Sequence, residues 1–169
     1  MKLFSLKALA VAALLGSAGG ASAVTLNIDS GWDRFAFGAV GTLAKRVFTF
    51  TLAGYANLSV TDGYVSGDQF NVLLNNVSFG LSSLPVNGAS SVGANYDAAF
   101  ANPNFSTWTH RIGPGSYTLT MLVTQRSGTD TIDHLGAVRL DTAAVPIPAA
   151  GLMLLSALGA AAAVRRRRA

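Results

Sequence analysis

The residues with most chemistry to offer are Asp62 and Asp68, in the segment TDGYVSGDQF. Two carboxylates on one glycine-containing loop, with a carbonyl such as that of Tyr64, supply part of a calcium shell, which takes about 6–8 oxygens. The spacing is not that of an EF-hand, so Asp97, Asp130 or Asp133 would have to complete the shell. The same two aspartates also suit a purely structural role as turn formers, Asp62 before Gly63 and Asp68 after Gly67.

Catalytic constellations are harder to assemble. A triad needs a base at hydrogen-bond distance from a nucleophile and oriented by a third group. The chain has two histidines, His110 and His134, and no serine in a Gly-x-Ser-x-Gly context. Asp133 and His134 are adjacent, so in a strand they would point to opposite faces. Paired carboxylates for glycoside hydrolysis would have to be two aspartates, and nothing selects a pair. The reading is therefore non-enzymatic, with both histidines expected at the surface or at strand ends. Trp32, Trp108, Tyr96 and Tyr117 have rings suited to a sugar face, although core packing explains them as well. Sequons at Asn57, Asn76 and Asn104 are about as many as the Asn, Ser and Thr content yields by chance.

These residues have to be positioned by strands, because the central sequence alternates with period 2 rather than 3.6. Phe48, Phe50 and Leu52 share one face, with Thr49 and Thr51 on the other. Similar alternation runs through Leu58–Thr61, Phe70–Leu74, Tyr117–Thr124 and Val138–Asp141. Asp62-Gly63, Ser66-Gly67-Asp68, Asn87-Gly88, Gly113-Pro114-Gly115 and Ser127-Gly128 mark turns between them. Short strands at such spacing predict an all-β, antiparallel sandwich of jelly-roll or CUB-like kind. Residues 82–97 read as a long loop, and residues 97–103 as a single helical turn with Asp97 as N-cap and Pro103 ending it.

The 169-residue chain has a formal charge of +4, but the basic residues are unevenly placed. Lys2, Lys7 and Arg165–Arg168 lie near the ends, so residues 24–144 hold six cations against eight aspartates, a net −2. A nucleic-acid partner would need a basic face on this domain, and none is visible. With no cysteine there are no disulfides or thiolate metal sites. The central 121 residues carry 24 Ser and Thr and nine Asn, a polar uncharged surface over an apolar core. A domain of this size buries more than about 60% of its unfolded surface, so the core needs no staples.

The two ends explain the remaining composition. Residues 1–23 have a basic start, an apolar run from Ala8 to Leu15, and the small residues Ala21 and Ala23 that suit signal peptidase, with cleavage expected after Ala23. Residues 145–169 begin with Val145, Pro146, Ile147, Pro148 and Ala149 and continue through 16 uncharged residues from Ala149 to Val164. As a helix these span about 24 Å, short of a ~30 Å hydrocarbon core by an amount that bilayer thinning and snorkelling absorb. Arg165, Arg166, Arg167 and Arg168 then stay cytoplasmic under the positive-inside rule, as do Lys2 and Lys7. A signal helix and a C-terminal transmembrane helix thus flank a domain placed across the inner membrane. Pro146 and Pro148 keep the motif extended, as a protease-like cleft requires.

This order of VPIPAA motif, short apolar helix and arginine cluster resembles the tripartite VPLPA variety of the PEP-CTERM sorting signal. Ile147 stands where that motif has Leu, and the glutamate of the commoner Pro-Glu-Pro form is absent. The resemblance implies a membrane exosortase that cuts at or near residues 145–150 and passes the domain to the cell surface or exopolysaccharide. LSVTDGYVSGDQFNVLLNN, YDAAFANPNFSTW, GPGSYTLTM and AVRLDTA, across residues 46–142, resemble the ectodomain that recurs with this signal. TDGYVSGDQF also resembles the acidic loops by which CUB-like sandwiches hold calcium. Two functions are expected on these grounds: a structural protein of the surface or exopolysaccharide matrix, or a calcium-assisted carbohydrate-binding module of the same fold.

Overall fold

A computed structural model describes residues 22–128 and 134–144, together with Met153. The expected signal helix and the sorting motif lie outside these residues, as does the expected C-terminal helix apart from Met153. Among the described residues no helix is long and apolar enough to cross a membrane.

Among residues 22–128 and 134–144, eleven strands and one short helix follow in the order β1 Ser22–Thr25, β2 Asp33–Ala36, β3 Arg46–Leu52, β4 Ala56–Asp62, β5 Tyr64–Val65, β6 Gln69–Leu74, β7 Val77–Leu81, β8 Ser91–Gly93, α1 Tyr96–Ala101, β9 Thr107–Ile112, β10 Gly115–Gln125 and β11 Leu135–Thr142. A five-stranded sheet has the order β1-β3-β10-β6-β7, a four-stranded sheet the order β2-β11-β4-β9, and β5 pairs with β8. All pairings are antiparallel except β1 with β3. The two larger sheets close on one apolar core, which makes the domain a β-sandwich as the alternation predicts.

The alternation sets which side chains meet. Phe48 and Phe50 of β3, Leu119 and Met121 of β10, and Phe70 and Val72 of β6 enter the core from one sheet. Leu58 and Val60 of β4, Val138 and Leu140 of β11 and Phe35 of β2 enter it from the other. Phe35 stands edge-on to Phe48 and Phe70, at 6.5 and 5.3 Å between centroids, an arrangement aromatic pairs favour over face-to-face stacking. Gly136 sits beneath this ring, where a Cβ would come within 2.5 Å of Phe35 Cζ.

The outer face of the four-stranded sheet departs from simple alternation. Ser59 and Thr61 are buried although their neighbours Leu58 and Val60 fill the core. The cover is α1, whose buried Tyr96 and Ala99 pack on β4, with Phe105 and Ala137 also buried outside the main core. Residues 82–97 are not structureless: they contain β8, and Ser66 stitches them down through Ser66 Oγ to Val86 O, Ser90 N to Ser66 Oγ and Gly88 N to Ser66 O. The helix also starts earlier than the spacing to Pro103 suggests. Its N-cap is Asn95, whose Oδ1 accepts from Ala98 N at 3.1 Å, and Asp97 lies in the first turn.

Candidate functional site

Asp62 ends β4, and Asp68 stands just before β6. The six-residue step between them is a tight loop, with Tyr64 at φ 59° and Gly67 at φ 143°. Gly67 has to be glycine on two counts, because its φ is disfavoured for other residues and a Cβ would meet Asn87 Oδ1 at 2.6 Å. Asp62 holds the loop closed. Its Oδ1 accepts from Gly63 N at 2.7 Å, and its Oδ2 accepts from Gly67 N and Asp68 N, each at 3.1 Å.

Asp68 performs the same service one layer on. Its Oδ1 accepts from Ser127 N at 2.7 Å, tying the end of β10 to the loop, and its Oδ2 faces His134 Nδ1 at 3.7 Å. Arg126 Nε donates to His134 Nε2 at 2.9 Å, so a neutral His134 carries its proton on Nδ1, toward Asp68. His134 also lies against Phe37, with ring centroids 5.5 Å apart. The sequence thus brings together Asp62, Asp68 and His134, with Arg126 behind them. The sequence marks the aspartate pair and the Ser127-Gly128 turn separately; no spacing rule brings Arg126 and the Ser127 amide to the pair.

The pair is fully buried, with Asp62 0% and Asp68 2% exposed. Burial is the main reason Asp62 is pushed up to about 8, and the neighbouring Asp68 carboxylate adds to it, while the three backbone N–H groups oppose the rise. Burial also raises Asp68, against the Ser127 amide and His134. Two carboxyls in contact away from water cannot both ionise cheaply, so they share a proton and titrate as a unit. A divalent cation would replace that proton. Among the described residues no three or more His, Asp or Glu side chains are gathered as a metal site. Asp97 is engaged elsewhere, by Trp32 Nε1 at 2.8 Å and Arg139 Nη1 at 3.0 Å. Asp130 and Asp133 lie outside the described residues.

The remaining candidates fall into place around the sandwich. His110 is exposed on β9 and stacks on Trp108 with centroids 5.7 Å apart, and Phe79 of β7 stands edge-on to both. Trp32 is half-buried under the Arg139 guanidinium, 4.5 Å from the ring. Tyr96 is buried, which pushes its hydroxyl up to about 12. Tyr117 stacks on Phe50 with centroids 5.3 Å apart.

No protein-family model matches the chain, and no curated protein matches it. Among solved structures the chain is similar to the pre-peptidase C-terminal domain of a collagenase from Bacillus anthracis, at 14% identity and a TM-score of 0.37, over 70% of this chain and 91% of that one.

Proposed function

We propose that the chain is an exported, non-enzymatic β-sandwich, sorted and cut by an exosortase and displayed at the cell surface or in the exopolysaccharide matrix. The observation that carries this is the order of Val145-Pro146-Ile147-Pro148, 16 uncharged residues and Arg165–Arg168 behind a domain that itself holds a net −2. The polar groups with chemical potential are spent on structure: Asp62 and Asp68 close a loop, and His134 braces it. Intact-mass analysis of the protein recovered from cell surface and medium tests the reading, and loss of the tail is the expected result.

β1 bears on the N-terminal cut. Ser22 and Ala23 pair with Arg46 and Val47, so cleavage after Ala23 leaves Val24 and Thr25 to hold the strand on β3.

The buried carboxyl pair supports a second reading, a calcium-assisted binding module. Calcium would then displace the shared proton and raise the melting temperature, and Asp68→Ala would abolish the rise. An unchanged melting temperature in millimolar calcium sets this reading aside.

A further inference from the structure

The outer face of the five-stranded sheet carries hydroxyls that neither the core nor the acid pair uses. Strand register arranges them: Thr25 lies beside Thr49, Thr49 opposite Thr118, and Thr51 opposite Ser116. Their neighbours Phe48, Phe50 and Leu119 point into the core, so these five share the opposite face. Spacings of ~4.8 Å between strands and roughly 7 Å between alternate residues make the hydroxyls a regular grid. All five side chains are exposed or half-buried, and the Thr51 and Ser116 hydroxyls sit 3.0 Å apart.

Beside this grid the sheet edge has a step. β1 ends at Thr25, and its ladder closes with Leu26 N donating to Thr49 O, whereas β3 runs on to Leu52. Beyond Thr49 no described strand pairs with that edge of β3. At the step lies an open hollow of about 600 Å³, bounded by Asn27 and Ile28 where the chain turns to bond Asp29 N to Leu140 O. Ile28 is 44% exposed, and no charged residue lines the hollow.

This combination selects a ligand by chemistry. Fixed hydroxyls, one amide and open backbone groups offer both donors and acceptors, and Ile28 supplies exposed apolar surface for C–H faces. A phosphate or carboxylate ligand calls for Arg or Lys, which the lining lacks. An added peptide strand relies on pockets for its alternate side chains, where this face presents a grid of short hydroxyls. The volume suits a segment of an extended ligand, within the ~300–1,000 Å³ usual for binding sites.

We propose that this hollow and its hydroxyl grid bind a neutral polysaccharide. The proposal deepens the display reading by naming the polymer class the domain would grip, at a site sharing no residue with Asp62, Asp68 or His134.

The test is retention of the full chain, held in a detergent without a sugar headgroup, on immobilised neutral dextran and β-glucan, with the acidic polysaccharide alginate and an extended Thr-rich peptide as comparisons. Binding to at least one neutral polymer is expected, unaffected by EDTA or by half-molar salt. Thr49→Val, Thr51→Val and Thr118→Val together keep shape and strand propensity while removing three hydroxyls, so binding should weaken at least about tenfold. An unchanged circular dichroism spectrum shows that this variant folds, and Thr51→Ser, which keeps the hydroxyl, should retain binding. Four results overturn the proposal: no binding to either neutral polymer, preference for alginate or for the peptide, equal binding by the triple variant, or loss on Phe79→Ser with the triple variant unaffected. Failure here leaves the masses of the exported species untouched, so it is distinguishable from failure of the display reading.

Discussion

At the scale of single residues, Asp62 concentrates the strongest electrostatic tension in the domain. Its folded pKa of about 8 lies above the ordinary 3.8, so between those values the folded state keeps a proton that the unfolded chain has released. Stability then falls as pH rises from about 4 to about 8, and the full contribution is present only below the lower value. Melting curves across that range should show the fall, and Asp62→Asn should flatten it. That variant also loses an acceptor for the loop amides, so it should melt lower than the parent at acid pH. An equal slope in parent and variant would mean that the pair does not share a proton. The aspartates themselves were legible in the sequence as a pair flanking a turn. Their burial was not, because the Ser127 amide and His134 that close over Asp68 come from about 60 residues further along the chain.

At the scale of elements, α1 is held mainly by its cap and by Tyr96 and Ala99 beneath it. Asn95→Ala should cost about 1 kcal/mol, a fall of roughly 4 °C or more in melting temperature for a domain of this size, whereas Asp97→Ala leaves the cap in place. Asp97→Ala removes instead the contacts to Trp32 and Arg139, and an unchanged melting temperature in Asn95→Ala by calorimetry would contradict the cap. Asn95 and Asp97 are both good caps two residues apart, and the position of Pro103 does not choose between them. The strands that read clearly, β3, β4, β6, β10 and β11, are those with a partner on each side and an apolar set on the core face. The edge strands were missed for the converse reason. β7 buries none of its residues, and β9 turns Trp108 and His110 toward an open rim. β1 was hidden under a cleavage signal, and the hydroxyl grid appears only once register brings Thr25, Thr49 and Thr118 into one row.

At the scale of the whole molecule, the chain divides into a polar, mildly acidic sandwich and two ends that hold much of its apolar and half of its basic residues. The sandwich was legible because a period of 2 with one apolar face leaves few ways to bury that face. The address rests on the ends, and the ends make a claim that one measurement meets directly. Intact-mass spectrometry of the protein recovered from the native cell surface and medium should show a species beginning at Val24 and ending near Val145, without the arginines. A mass that still includes Arg165–Arg168 would contradict the account, leaving an uncut tail in place of a released and displayed domain.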